Sequence, residues 1–415
     1  MPKVFNPDSA LLQEHGFSRL THVPVLFDDD GSYMREQSRY LRARATRTFC
    51  PKPHIGDFPR HETLKAIAYH LADFERWAKI VDADWRSATY DTVIAYQNDL
   101  LHGRCSASGK PLDPKTANAL ADDATFFLDW ASLNGLRPLF SYDTRTSERW
   151  VSGKLRVSVV RVGRAREYST IDDSYNFPTP NEVKLWLDAV RLKRGEAKWL
   201  ACRFVLETGA RKKEVEQLRM TDWPTEKEIS DALSANSPTV FMILRHGTKG
   251  GKPRQIRLPV TFAILVQKWM MTRRKTYAYR LNRRTGNLTN RLFLSDSGEH
   301  AGTPLSGNTI WRCFHEVDPR PVRWTTHRGR HAYAVFLILN ALESESLASG
   351  TKLQFQSVHW INDRGKHWLS MLRKQFGHAS EETTEMYLRW LITTTGIAEL
   401  SMGWHRFLNG EVQDA

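Results

Sequence analysis

From residue 63 onward, apolar side chains return every three or four positions. Leu64, Ile67, Leu71, Phe74 and Trp77 fall on one face of a helix behind Thr63, a residue type that caps helix starts. Further helices are expected: one near Tyr90 to Leu101, with Val93, Ile94 and Leu101 on its apolar side, and one from Pro114. The latter carries Ala117, Leu120, Ala124, Phe127, Leu128 and Ala131 until Gly135 stops it. Thr179-Pro180-Asn181-Glu182 joins a capping box to a proline at the first helical position and leads into Val183, Leu185, Trp186, Leu187 and Val190. A new domain is expected to begin there.

The period shortens to two in Val240-Phe241-Met242-Ile243-Leu244-Arg245 and again in Arg254-Gln255-Ile256-Arg257-Leu258-Pro259. Two alternating runs around Gly247-Thr248-Lys249-Gly250-Gly251 predict a β-hairpin. Residues Thr326 to Leu339 read as helix. Trp150 to Arg164 is partly alternating and basic, a linker with strand potential. The first 55 residues have little clean periodicity and end on Arg35, Arg39, Arg42, Arg44 and Arg47. That run is either a solvated helical face plus loop or an arm that contacts phosphates.

A chain of 415 residues has room for two or three domains and a sizeable core. Its net charge of +14 favours a polyanionic partner such as nucleic acid. No apolar run is long enough to span a bilayer, and Met1-Pro2-Lys3-Val4-Phe5-Asn6 lacks a signal-peptide apolar region, so no membrane and a cytoplasmic location are expected. Cys50, Cys105, Cys202 and Cys313 are far apart with no Cys-x-x-Cys pair, which argues against disulfides and zinc. There is no His-Glu-x-x-His, and His359 and His367 lack the spacing of a metal site; neither metal nor cofactor is expected. The glycine-rich turn is not a phosphate-binding P-loop, because no glycine stands five residues before Gly251 and Pro253 follows Lys252.

Five clusters in chain order carry the chemistry: Thr208-Gly209-Ala210-Arg211-Lys212-Lys213-Glu214, the Lys249 turn, His327-Arg328-Gly329-Arg330-His331, Gly377-His378, and Tyr387. Glu214 follows Arg211 by three residues and precedes an apolar face of Val215, Leu218 and Met220. Tyr387 lies nine residues after His378, with Thr383-Thr384 between. A scissile phosphate gains negative charge on its equatorial oxygens as it is attacked, so two guanidiniums, a lysine and imidazoles around one tyrosine suit strand cleavage. Lysine does not fork onto phosphate as a planar guanidinium does, which singles out Arg211 over Lys212 and Lys213. His327 and Arg330, three apart, share a helix face.

On these residues the chain resembles the tyrosine recombinase (phage integrase) family, well across residues 177 to 395 and plausibly for 60 to 140. The resemblance implies a mainly α fold with a small β-sheet, in which a helical core-binding (SAM-like) domain precedes an α+β catalytic domain. The expected organisation is a basic arm at 1–55, the core-binding domain at 56–141, a linker at 142–176 whose arginines lie on the DNA backbone, the catalytic domain at 177–395, and a tail at 396–415 that is open to exchange between subunits. It implies that Tyr387 is the nucleophile and that Arg211 and Arg330 clamp the phosphate. Lys249, with Lys252 as runner-up, is the general acid toward the 5′-oxygen. His327 takes part in proton transfer or a phosphate hydrogen bond, and His378 makes a hydrogen bond and packs. Glu214 orients the site, while His331, Tyr333 and Phe336 pack.

The implied partners are double-stranded DNA and further copies of the chain, as a dimer on a site and a tetramer in the synapse, with an accessory directionality factor left open. The implied role is integration or excision of a mobile element. Two other readings stay open, a type IB topoisomerase-like nicking-closing enzyme and a DNA-binding regulator without catalysis. One departure stands out: His378 lies 47 positions after His331, about twice the usual span, which predicts an inserted loop or helix beside the site.

Overall fold

The computed structural model describes residues 2–51, 58–104, 109–151, 154–167, 177–248 and 251–376. The chain divides into two compact units, Met1–Thr170 and Ile171–Ala415. Both are mainly helical, with two-stranded sheets among the described residues.

In the first unit, β1 (Lys3–Phe5) precedes α1 (Ser9–Glu14) and pairs antiparallel with β2 (Val25–Phe27). Then follow α2 (Arg35–Thr46), α3 (His61–Ile80), α4 (Tyr90–His102) and α5 (Pro114–Leu133), and an antiparallel hairpin of β3 (Thr144–Val151) and β4 (Lys154–Arg161). The 3.6-residue pattern of the sequence becomes the core: Leu64, Ile67, Leu71, Phe74 and Trp77 from α3 pack with Val93, Tyr96, Ala117, Phe127 and Leu128. The helix starts earlier than Thr63, with Arg60 as its N-cap residue. Residues expected to form a separate arm contribute to this same core through Leu26, Tyr40, Leu41 and Ala45. Of the α2 arginines, Arg44 donates to Tyr40 Oη at 2.7 Å and Arg39 pairs with Glu36 at 3.4 Å.

The segment after β4 belongs to this unit too, held by polar contacts. Arg161, almost fully buried, donates from Nε to Asp122 at 2.7 Å, and Arg164 pairs with the same carboxylate. Asn118 exchanges two hydrogen bonds with the Ala165 backbone, each 2.9 Å. These two arginines of the expected linker are thus committed to a carboxylate of their own unit, because burying them without a counter-charge would be unfavourable.

The second unit opens with α6 (Pro180–Arg194). The expected capping box is present: the Thr179 backbone N–H donates to Glu182 at 2.8 Å, and the Glu182 N–H donates to Thr179 Oγ1 at 3.2 Å. Next come α7 (Glu196–Thr208), α8 (Lys212–Gln217), α9 (Glu226–Ser234), the hairpin of β5 (Thr239–Leu244) and β6 (Arg254–Pro259), α10 (Val260–Trp269), α11 (Lys275–Thr285), α12 (Gly307–Glu316), α13 (Thr326–Ala348) and α14 (Val358–Phe376). In the hairpin, Leu244 pairs with Arg254 and Thr239 with Pro259. Val240, Met242, Leu244, Arg254, Ile256 and Leu258 point inward, while Phe241 and Ile243 face out. The expected helix from Thr326 continues nine residues past Leu339. The surplus before His378 is helical: α14 joins α13 in a separate small core of Val335, Ile338, Leu342, Ile361, Leu369, Leu372 and Phe376.

Candidate active site

Four stretches of the second unit meet around Arg330. The first is the turn out of α7. Gly209 ends that helix in the left-handed region, φ 63°, where its N–H still reaches Val205 O. A Cβ at Gly209 would stand 2.7 Å from the Phe376 ring, so glycine is required by both conformation and space. The chain then extends through buried Ala210 to Arg211, the residue that enters α8.

Glu214, at the third position of α8, is fully buried. It accepts the Arg211 backbone N–H at 2.7 Å and pairs with the Arg211 side chain at 3.1 Å. Arg254 from β6 grips the same carboxylate with Nε at 3.0 Å and Nη2 at 2.7 Å. Burial pushes the Glu214 carboxyl up, but the hydrogen bond and charge of Arg254, then the backbone N–H and charge of Arg211, outweigh it and leave the pKa below the usual glutamate value.

Arg330 is 1% exposed on α13. It donates from Nη1 to the Gly209 carbonyl and from Nη2 to the Phe376 carbonyl at 2.6 Å, and its guanidinium lies 4.6 Å from the Phe376 ring centre. Arg211 Nη2 reaches the same Phe376 carbonyl at 3.4 Å. The last turn of α14 thus presents one carbonyl, at the negative end of the helix, to both guanidiniums. Tyr333 stacks on the Phe376 ring at 5.6 Å.

His327 sits one turn before Arg330, its ring edge-on to His331 at 4.3 Å. Desolvation lowers its pKa below the usual histidine value, and the positive charges of Arg330 and then Arg211 lower it further. The surroundings thus favour the neutral imidazole, which donates from one nitrogen and accepts at the other. The turn after β5 reaches this site as well: a Cβ on Gly247, φ 70°, would stand 2.4 Å from the Lys213 carbonyl, so the chain at Gly247 lies against the start of α8.

Arg211, His327 and Arg330 are thus brought together from two stretches distant in the sequence, the entry to α8 and the first turn of α13. Lys249, His378 and Tyr387 lie outside the described residues. Glu214 has the orienting contacts expected of it, and Tyr333 packs as expected. Arg254 was not singled out, although its sequence phase with Ile256 and Leu258 marks it as an arginine on the inward face of a strand.

No family model matches the sequence, and no curated protein does. The solved structures similar to the chain include the XerH site-specific recombinase bound to palindromic difH substrate, at 15% identity, covering 83% of this chain and 81% of that one with a TM-score of 0.46. A lambda integrase dimer bound to a COC′ core site is similar at 13% identity, over 85% of this chain and 76% of that one, TM-score 0.48. The Tn1549 transposon integrase in complex with circular intermediate DNA is similar at 14% identity, over 85% and 94%, TM-score 0.47. Among the described residues, no helix is long and apolar enough to cross a membrane.

Proposed function

We propose that the chain is a site-specific DNA recombinase of the tyrosine type, which cuts and rejoins strands through a 3′-phosphotyrosyl intermediate on Tyr387. The observation that carries the reading is the convergence of Arg211 and Arg330 on one carbonyl oxygen, with His327 one turn before Arg330 on the same helix. Two forked donors aimed at one oxygen, in a buried setting, suit a phosphodiester whose equatorial oxygens gain charge in the transition state.

In the proposed reaction the phenol oxygen of Tyr387 bonds to phosphorus, giving its proton to the His327 imidazole, as the P–O5′ bond breaks. Lys249 protonates the departing 5′-oxygen, and His378 hydrogen-bonds the phosphoryl group. A 5′-hydroxyl from a second duplex then attacks the phosphotyrosine and returns the phenol. One phosphoester replaces another at each step, so the exchange is close to energetically balanced. The reading extends to a dimer on each site, a tetramer joining two duplexes, and integration or excision of a mobile element.

Trapping on a nicked suicide duplex tests this. The wild-type chain is expected to form a covalent protein–DNA band in a denaturing gel, and Tyr387→Phe none, while sequence-specific binding is retained. A band that persists in Tyr387→Phe would move the nucleophile elsewhere. Tight binding with no band from the wild type would favour the regulator without catalysis, and plasmid relaxation without strand exchange would favour the topoisomerase-like alternative.

A further inference from the structure

Arg254 lies one layer behind the guanidinium pair. Its side chain is 7% exposed and gives two donors to Glu214, whose side chain is 0% exposed. Glu214 also pairs with Arg211, so two guanidiniums divide one carboxylate. Arg211, Arg254 and Arg330 against Glu214 leave this group with a net charge of +2. Without Arg254 the same carboxylate would face Arg211 alone, and a buried one-to-one ion pair offers little charge to an incoming anion.

We propose that Arg254 is a positioning residue for phosphate recognition: by taking both oxygens of Glu214 it keeps that carboxylate from neutralising Arg211, and so sets the charge that Arg211 and Arg330 offer to a phosphodiester. This rests on reading the site as one for phosphodiesters. Glu214 then has two separable tasks. It caps α8 and aims Arg211, which needs an oxygen at that place; its negative charge is surplus to both and is absorbed by Arg254. Affinity for phosphate at Arg211 follows the net charge of the group, and the particular pair of side chains behind it is interchangeable.

The experiment is a titration of the full chain with inorganic phosphate, read from the Nε–Hε resonance of Arg211 and assigned with Arg211→Lys. Arg254→Met lowers the net charge by one and is expected to weaken phosphate about tenfold, while Arg254→Met/Glu214→Gln, which restores it, returns within about threefold of wild type. A merely structural strut predicts the opposite, since the double variant lacks it too. The proposal is overturned if Arg254→Met binds phosphate as the wild type does, or if the folded double variant is as weak as Arg254→Met. Should Arg254→Met fail to fold by circular dichroism, the double variant decides alone, and a loss of about tenfold or more in it overturns the proposal. A wild-type chain whose Arg211 signal ignores phosphate also overturns it. Phosphate bound at Arg211 by a chain that never forms a covalent DNA complex would leave Arg254's role standing and remove the recombinase reading.

Discussion

Among single residues, Glu75 shows how burial sets a charge. It is 8% exposed on α3, accepts a hydrogen bond from Gln37, and desolvation pushes its pKa from 4.5 up to about 7. Gln37 works against that rise, while Asp28 and Asp84 add to it. The folded chain thus holds this proton more tightly than the unfolded one. The stabilising contribution is complete below about pH 4.5 and is lost as pH rises through about 7, a difference on the order of 3 kcal/mol. Glu75→Gln is expected to melt at a higher temperature than wild type at pH 8 and to lose that advantage toward pH 4.5. A melting series that shows one constant offset at every pH would contradict it. At the site, the residue scale is where sequence is most informative about chemistry and least about partners. Arg211 and Arg330 stand out as motif positions, but that both would donate to the Phe376 carbonyl is not written in either motif.

Elements decide how closely such residues approach. The α13 helix passes α12 at Gly329, where a Cβ would lie 2.7 Å from the buried Phe314 ring and 3.4 Å from Leu206. Gly329→Ala gains up to about 1 kcal/mol of helix propensity but forces an overpacked contact that costs about 1–3 kcal/mol. Phe314 is a rigid ring packed against Trp186 and Trp324, so the contact outweighs the propensity. A net loss of about 1 kcal/mol is expected in urea denaturation. A midpoint at or above wild type would mean that the ring yields. The hairpin and the α6 capping box were legible because alternation and capping are local, fixed by neighbours within four residues. The span from His331 to His378 was legible only as a surplus; that it becomes α14 follows from Ile361, Leu369, Leu372 and Phe376 finding the apolar face of α13.

For the whole molecule, the first unit encloses its own core, with Leu26, Tyr40, Leu64, Leu71, Phe74, Tyr96, Phe127 and Leu128 at or below 1% exposure. The first unit runs to Thr170, because Arg161, Arg164, Asn118 and Asp122 bind the end of β4 and the segment after it to α5. A fragment of residues 1–167 is therefore expected to melt cooperatively by itself in calorimetry, and a fragment ending at residue 141 to lose several degrees, since Asn118 and Asp122 then lack their partners. Equal melting temperatures for the two fragments would show that the hairpin and its polar contacts add nothing to the unit.

By itself, the sequence determined the mainly helical class, the hairpin, the capping box at Thr179 and the chemical character of Arg211, His327 and Arg330, since periodicity, caps and side-chain types are properties of short stretches. The tertiary structure alone decided that residues up to Ala45 join the first core, that Arg161 and Arg164 turn inward, and that Arg254 meets Glu214 across 40 positions. Each of these is a pairing between distant residues, and its partner is chosen by which buried charge or apolar face the fold brings within reach.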